Sequence, residues 1–137
     1  MKILSIGNSF SADAHVYLNV LAKQRGIDLE TVNAAIGGCS LQMHWNNIVN
    51  KSVNFLHNIN GGEEWQKELV SVEQILKSEP FDVITLQQAS HLSAHYETYT
   101  PYLENLLEYI KKYCPRKNCR QNTCDKVRCF CQKLNRR

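Results

Sequence analysis

Two hydrophobic rhythms alternate along the chain. A short apolar run, Ile3-Leu4-Ser5-Ile6, stops at Gly7-Asn8-Ser9-Phe10 and predicts a strand entering a tight turn. Beyond Ser11 or Asp13 the spacing changes. Ala14, Tyr17, Leu18, Leu21 and Ala22 recur every three or four residues and predict a helix with that set on its core face. Gly26 stands where a left-handed glycine ends a helix. Residues 28–35 read as a second strand. Ile36-Gly37-Gly38-Cys39-Ser40 reads as a loop, and residues 41–59 as mostly helical through Trp45, Ile48, Val49, Val53 and Leu56.

Asn60-Gly61-Gly62 breaks that pattern. Residues 65–79 contain a second helical stretch, with Leu69, Val72, Ile75 and Leu76 on one face, and Pro80 ends it. Residues 81–86, FDVITL, form the clearest buried strand, followed by Gln87-Gln88-Ala89-Ser90-His91. The last helix opens with Thr100 as cap and Pro101 in its first turn, and carries Leu103, Leu106, Leu107, Ile110 and Tyr113. The order βαβ-loop-α-α-β-α calls for a parallel sheet with helices on both sides.

Composition divides the chain. Residues 1–115 hold 8 Lys/Arg against 12 Asp/Glu, a net of −4, whereas residues 116–137 hold 8 against Asp125 alone, a net of +7. Five of the six cysteines also fall late, at Cys114, Cys119, Cys124, Cys129 and Cys131. The shift sets a boundary near Pro115, with an α/β domain over 1–115 and a basic, irregular tail over 116–137. No apolar run is long enough to span a bilayer and no signal-peptide core opens the chain, so the expected location is the cytoplasm.

Three loops leave the C-terminal ends of the three expected strands: Gly7-Asn8-Ser9, Gly37-Gly38-Cys39 and Gln87-Gln88-Ala89-Ser90. In a doubly wound sheet such loops converge. Together they supply a hydroxyl, glycine N–H groups and a side-chain amide, the parts acyl transfer requires. Read singly, each has a plainer role: Ser9 or Ser11 as a helix cap, Gly-Gly as a turn, Gln88 as a partner for backbone.

The blocks Ile6-Gly7-Asn8-Ser9-Phe10, Ile36-Gly37-Gly38-Cys39-Ser40-Leu41-Gln42 and Asp82 through His91 resemble the SGNH/GDSL hydrolases. The resemblance is nearest to a bacterial branch of the DUF4886 type and covers about residues 1–115. It implies a flavodoxin-like three-layer sandwich, here incomplete on the C-terminal side, and hydrolysis of acyl or acetyl esters, some on carbohydrates. It also implies Ser9 as nucleophile, and an oxyanion hole of the Ser9 N–H, the Gly38 N–H and the Gln88 side chain. No metal or cofactor is implied, and the partner is a small-molecule ester rather than a membrane or nucleic acid.

Two residues depart from the family pattern: Asn8 replaces its Asp and Gln88 its Asn. The larger departure is the base. The family's Asp-x-x-His block is missing, and no histidine follows His95. His91, just past Gln88, is the best substitute, ahead of His44 and His95, while His15 and His57 read as helix-surface residues. The abrupt change after Pro115 suggests a truncated or frameshifted C-terminus. It would leave the strand 81–86 with an open edge prone to self-association. Two alternatives stand beside catalysis: a non-catalytic ligand-binding module, and metal or nucleic-acid binding through the Cys-rich basic tail.

Overall fold

The computed structural model describes residues 1–113 and the backbone of residues 127–130. It is a mixed α/β structure. Strands β1 (Lys2–Gly7), β2 (Glu30–Ala35), β3 (Leu56–Ile59), β4 (Val83–Gln87) and β5 (Val127–Phe130) form one sheet in the order β3-β2-β1-β4-β5. All neighbours are parallel except β2 and β3, which run antiparallel.

The alternating side chains of the strands make two unlike faces. Leu4, Ile6, Val32, Ala34, Ile84 and Leu86 form the apolar face. Helices α2 (Leu41–Val49), α3 (Val72–Ser78) and α4 (Tyr102–Tyr113) pack there through Leu41, Val72, Ile75, Leu106 and Ile110. On the other face Ser5 pairs with Asn33 and with Thr85 in register, and Ile3 with Thr31. Helix α1 (Ser9–Gln24) lies against this polar face.

That packing overturns the expected core face of α1. Ser11, His15 and Ala22 are buried, whereas Ala14, Tyr17, Leu18 and Leu21 are exposed. The sheet decides the orientation, because its polar residues need partners. Ser5 Oγ lies 2.7 Å from His15 Nε2, Ser11 Oγ 2.9 Å from Asn33 Oδ1, and Asn19 Nδ2 donates to Thr31 Oγ1 at 2.7 Å. Turning the helix to bury its apolar side would strand those groups, at about 1–3 kcal/mol each. His15 is therefore a buried residue facing the sheet, not a surface one.

The expected helix over 41–59 ends at Val49. Lys51 takes a left-handed φ of 52°, Ser52 N donates to Asn47 O and Lys51 N to Ile48 O. This is a Schellman closure built on lysine where glycine is usual. The chain then turns into β3, an edge strand that carries His57 opposite Ala34. The same closure ends α1 at Gly26, as the sequence predicts.

Beside β4, where an open edge was expected, β5 pairs in parallel from Ile84↔Val127 to Gln87↔Phe130. The tail thus contributes a strand, and β4 is internal. The side chains of the tail cysteines lie outside the described residues.

Candidate active site

Ser9 is the first residue of α1 and is exposed. Asn8 immediately before it is the N-cap, in extended conformation with φ −139°, and its Oδ1 accepts from Phe10 N at 3.2 Å. Asn8 is 1% exposed. Its Nδ2 donates to Cys39 O at 3.1 Å and reaches Gln88 O at 3.4 Å. One amide therefore ties together the loops after β1, β2 and β4. A further bond, Ile36 N to Gly7 O at 3.2 Å, joins the first two.

In the second loop Cys39 N donates to Ile36 O at 3.1 Å, closing a β-turn. Gly38 is the third residue of that turn and has φ +66°, the left-handed conformation that favours glycine. The space where its Cβ would stand is empty. Among the described residues neither the Ser9 N–H nor the Gly38 N–H has an acceptor. Ser9 is thus an exposed hydroxyl at a helix N-terminus, in a loop tied to the Gly38 turn.

Gln88 is placed differently from the expected oxyanion donor. It is 3% exposed. Its Oε1 accepts from Leu41 N at 3.0 Å and Ala89 N at 2.9 Å, and its Nε2 is turned to Thr98 Oγ1 at 3.1 Å. Two backbone donors on the oxygen fix the orientation of the amide. The long glutamine arm reaches over to the start of α2 and to the 3-10 turn at Tyr96–Thr98, and so serves as a bracket between loops.

His91 lies on the 3-10 turn Ser90–Leu92, exposed, with no hydrogen bond to Ser9. His95 pairs with Glu97 Oε1 at 3.2 Å. His44 is fully buried behind the glycine turn, stacked on Phe55 at 5.6 Å between ring centroids, with Nδ1 3.4 Å from Cys39 Sγ. Burial holds the His44 imidazole down at about 4 and pushes the Cys39 thiol up to about 12. Neither is an ionised catalyst at neutral pH. Burial also lowers His15 to about 4. The structure thus ties the Ser9 loop to the Gly38 turn through Asn8, and among the described residues no imidazole is hydrogen-bonded to Ser9.

Asn8 was legible in the sequence only as a turn residue. A polar residue between a strand-ending glycine and a helix start is the signal for a cap, but not for bonds to two distant loops. Among the described residues no group of three or more His, Cys, Asp or Glu side chains is placed to hold a metal ion. No described helix is long and apolar enough to cross a membrane.

The family model for a domain of unknown function, DUF4886, matches residues 2–124. The chain belongs to the DUF4886 family. The match runs past Pro115 into the basic segment. A solved DUF4886 family protein from Bacteroides uniformis ATCC 8492 is similar in structure, with a TM-score of 0.77 and 36% sequence identity. The similarity covers 83% of this chain but 45% of that one, so the chain spans less than half the length of this DUF4886 relative. No curated protein matches the chain.

Proposed function

We propose that this DUF4886 chain is an SGNH/GDSL-type acyl ester hydrolase unit with Ser9 as nucleophile and the Ser9 and Gly38 N–H groups as oxyanion donors. The observation that carries the reading is the Asn8 side chain, which holds the three site loops in one cluster beside an exposed Ser9. The flavodoxin-like reading of the fold belongs with it. Setting β3 aside, the parallel strands run β2-β1-β4-β5, the strand order of that class, with the site at the carboxyl ends of the strands.

Ser9 Oγ attacks the acyl carbonyl, the two N–H groups receive the developing oxyanion, and the alcohol departs to leave an acyl ester on Ser9. Water then releases the acid. The Ser9 proton has no imidazole to accept it, so solvent must take it and turnover is slow. Ser-His-Asp enzymes that lose a triad member keep about 10³–10⁴-fold acceleration over water from the oxyanion hole and binding. Acetyl or other short acyl esters, including those on carbohydrates, fit the reading.

The test is hydrolysis of p-nitrophenyl acetate, with peptide mass mapping of the acylated serine. Slow release, lost in Ser9→Ala, with acetyl on Ser9, is the expected result. Release unchanged in Ser9→Ala, or acetyl found elsewhere, would sink the proposal. A second reading, ligand binding without turnover, is favoured by the bracketed Gln88 and by the lack of an imidazole at Ser9. It predicts that a short ester binds, by calorimetry, with no Ser9-dependent hydrolysis.

A further inference from the structure

The Gly38 N–H sits in the middle peptide of the turn over residues 36–39, so its direction is set by the two ends of that turn. One end is tied by Ile36 N, which donates to Gly7 O at 3.2 Å. The other end is Cys39, fully buried and held at three points. Its N–H donates to Ile36 O, its carbonyl accepts from Asn8 Nδ2, and its Sγ lies 3.4 Å from His44 Nδ1.

His44 is pinned as firmly as Cys39. Its backbone N–H donates to Ser40 O at 2.9 Å in the first turn of α2, and its ring stacks on Phe55 with 15° between the planes. Phe55 is buried and bonded to Val70 through both of its backbone groups. The imidazole is therefore held against the thiol.

Counting protons decides the tautomer. A thiol carries one proton, and Cys39 Sγ has two neighbours, His44 Nδ1 at 3.4 Å and Ser40 O at 3.6 Å. If the thiol donates to Nδ1, the ring proton must sit on Nε2, a buried atom with no acceptor among the described residues. If the ring carries its proton on Nδ1, that N–H donates to Sγ and the S–H donates to Ser40 O. Only a lone pair at Nε2 is then left over. A buried N–H without an acceptor is the rarer of the two.

We propose that His44, as the Nδ1–H tautomer, is a positioning residue of the site: it fixes the Cys39 thiol and, through Cys39, aims the Gly38 N–H as an oxyanion donor. This role rests on the ester-hydrolase reading of Ser9. An oxyanion donor acts by being fixed before the charge develops, so a loosened turn costs turnover rather than binding.

Nitrogen NMR of the full chain with reductant present reads the tautomer, and the protonated ring signal of His44 is expected at Nδ1. The consequence is read in p-nitrophenyl acetate turnover, counted as the part lost in Ser9→Ala. Cys39→Ala removes the acceptor and should lower kcat about tenfold with KM unchanged, less than the hundredfold or more of a donor lost outright. Cys39→Ser keeps a group that accepts from Nδ1 and donates to Ser40 O, and should retain most of the rate. His44→Asn keeps an N–H near the Nδ1 position and should do the same, whereas His44→Leu should lose as much as Cys39→Ala. The double variant Cys39→Ala/His44→Leu should be no slower than either single one, because all three break one contact. Amide exchange at position 39 needs no activity; it should stay slow in Cys39→Ser and His44→Asn and quicken in Cys39→Ala and His44→Leu. A proton on Nε2, a change in KM without one in kcat, or additive losses in the double variant would overturn the proposal. Hydrolysis unchanged in Ser9→Ala would remove the ester-hydrolase reading and the catalytic role with it, while the tautomer and the exchange at position 39 would still decide whether His44 holds the turn.

Discussion

Asn8 does more for the candidate site than Ser9. Its oxygen caps α1, and its nitrogen holds the carbonyls of Cys39 and Gln88, both bonds being buried. Replacing Asn8 with alanine removes the cap, worth about 1 kcal/mol. It also strands two buried carbonyls, so the total loss should be about 2–4 kcal/mol. Urea unfolding of Asn8→Ala measures this, and a change below about 1 kcal/mol would mean that the loops hold together without it. Ser9 and Gly38 could be picked out of the sequence because strand, turn and glycine chemistry are local. The bracketing role of Gln88 could not, because Leu41 N and Thr98 become its partners only after the chain has folded.

At the scale of the element, α1 is instructive. Its periodicity groups Ala14, Tyr17, Leu18, Leu21 and Ala22, of which the first four lie exposed and Ala22 is buried. It does not say which side is inward, and the polar face of the sheet settles that. The consequence is a buried imidazole, His15, joined by a second, His44, behind the glycine turn; burial lowers both to about 4. Between pH 6.5 and about 4 the unfolded chain binds protons that the folded chain refuses. Stability therefore rises with pH across that window and falls on acidification, by up to about 1.4 kcal/mol per pH unit for each histidine. The urea midpoint should drop steadily from pH 7 to pH 4.5, and His15→Gln should flatten the slope. A midpoint independent of pH over that range would contradict the burial of both rings. Residues 41–59 show the converse failure of periodicity. The helical spacing runs on into β3, and the stop at Lys51 carries neither glycine nor proline to announce it.

For the molecule as a whole, the pairing of β5 with β4 matters most. It converts the most apolar strand from an edge into an interior one. Deleting residues 127–137 should therefore speed amide exchange in β4 and raise light scattering, since an uncovered apolar edge invites pairing with other chains. Unchanged exchange in β4 would show that β5 gives it no protection in solution. This strand could not be read from the tail, whose Val127 and Phe130 stand among charged and cysteine residues without alternation. Its place is set by the free edge of β4, a property of the folded sheet.

The sequence by itself determined the strand-turn-helix at Ser9, the glycine turn at Gly38, a strand over 81–86 that the structure has at Val83–Gln87, and the α/β class. These follow from local spacing, cap chemistry and glycine's access to positive φ. The tertiary structure alone decided which side of α1 faces water, that residues 56–59 pair as a strand, and that Gln88 braces rather than faces the site. It alone showed that His91, the expected substitute base, makes no hydrogen bond to Ser9. The side of α1 and the placing of Gln88 depend on which buried polar groups find partners across 10 to 80 residues of chain, as His15 does with Ser5 and Asn8 with Gln88. Hydrophobic periodicity carries no record of such pairings.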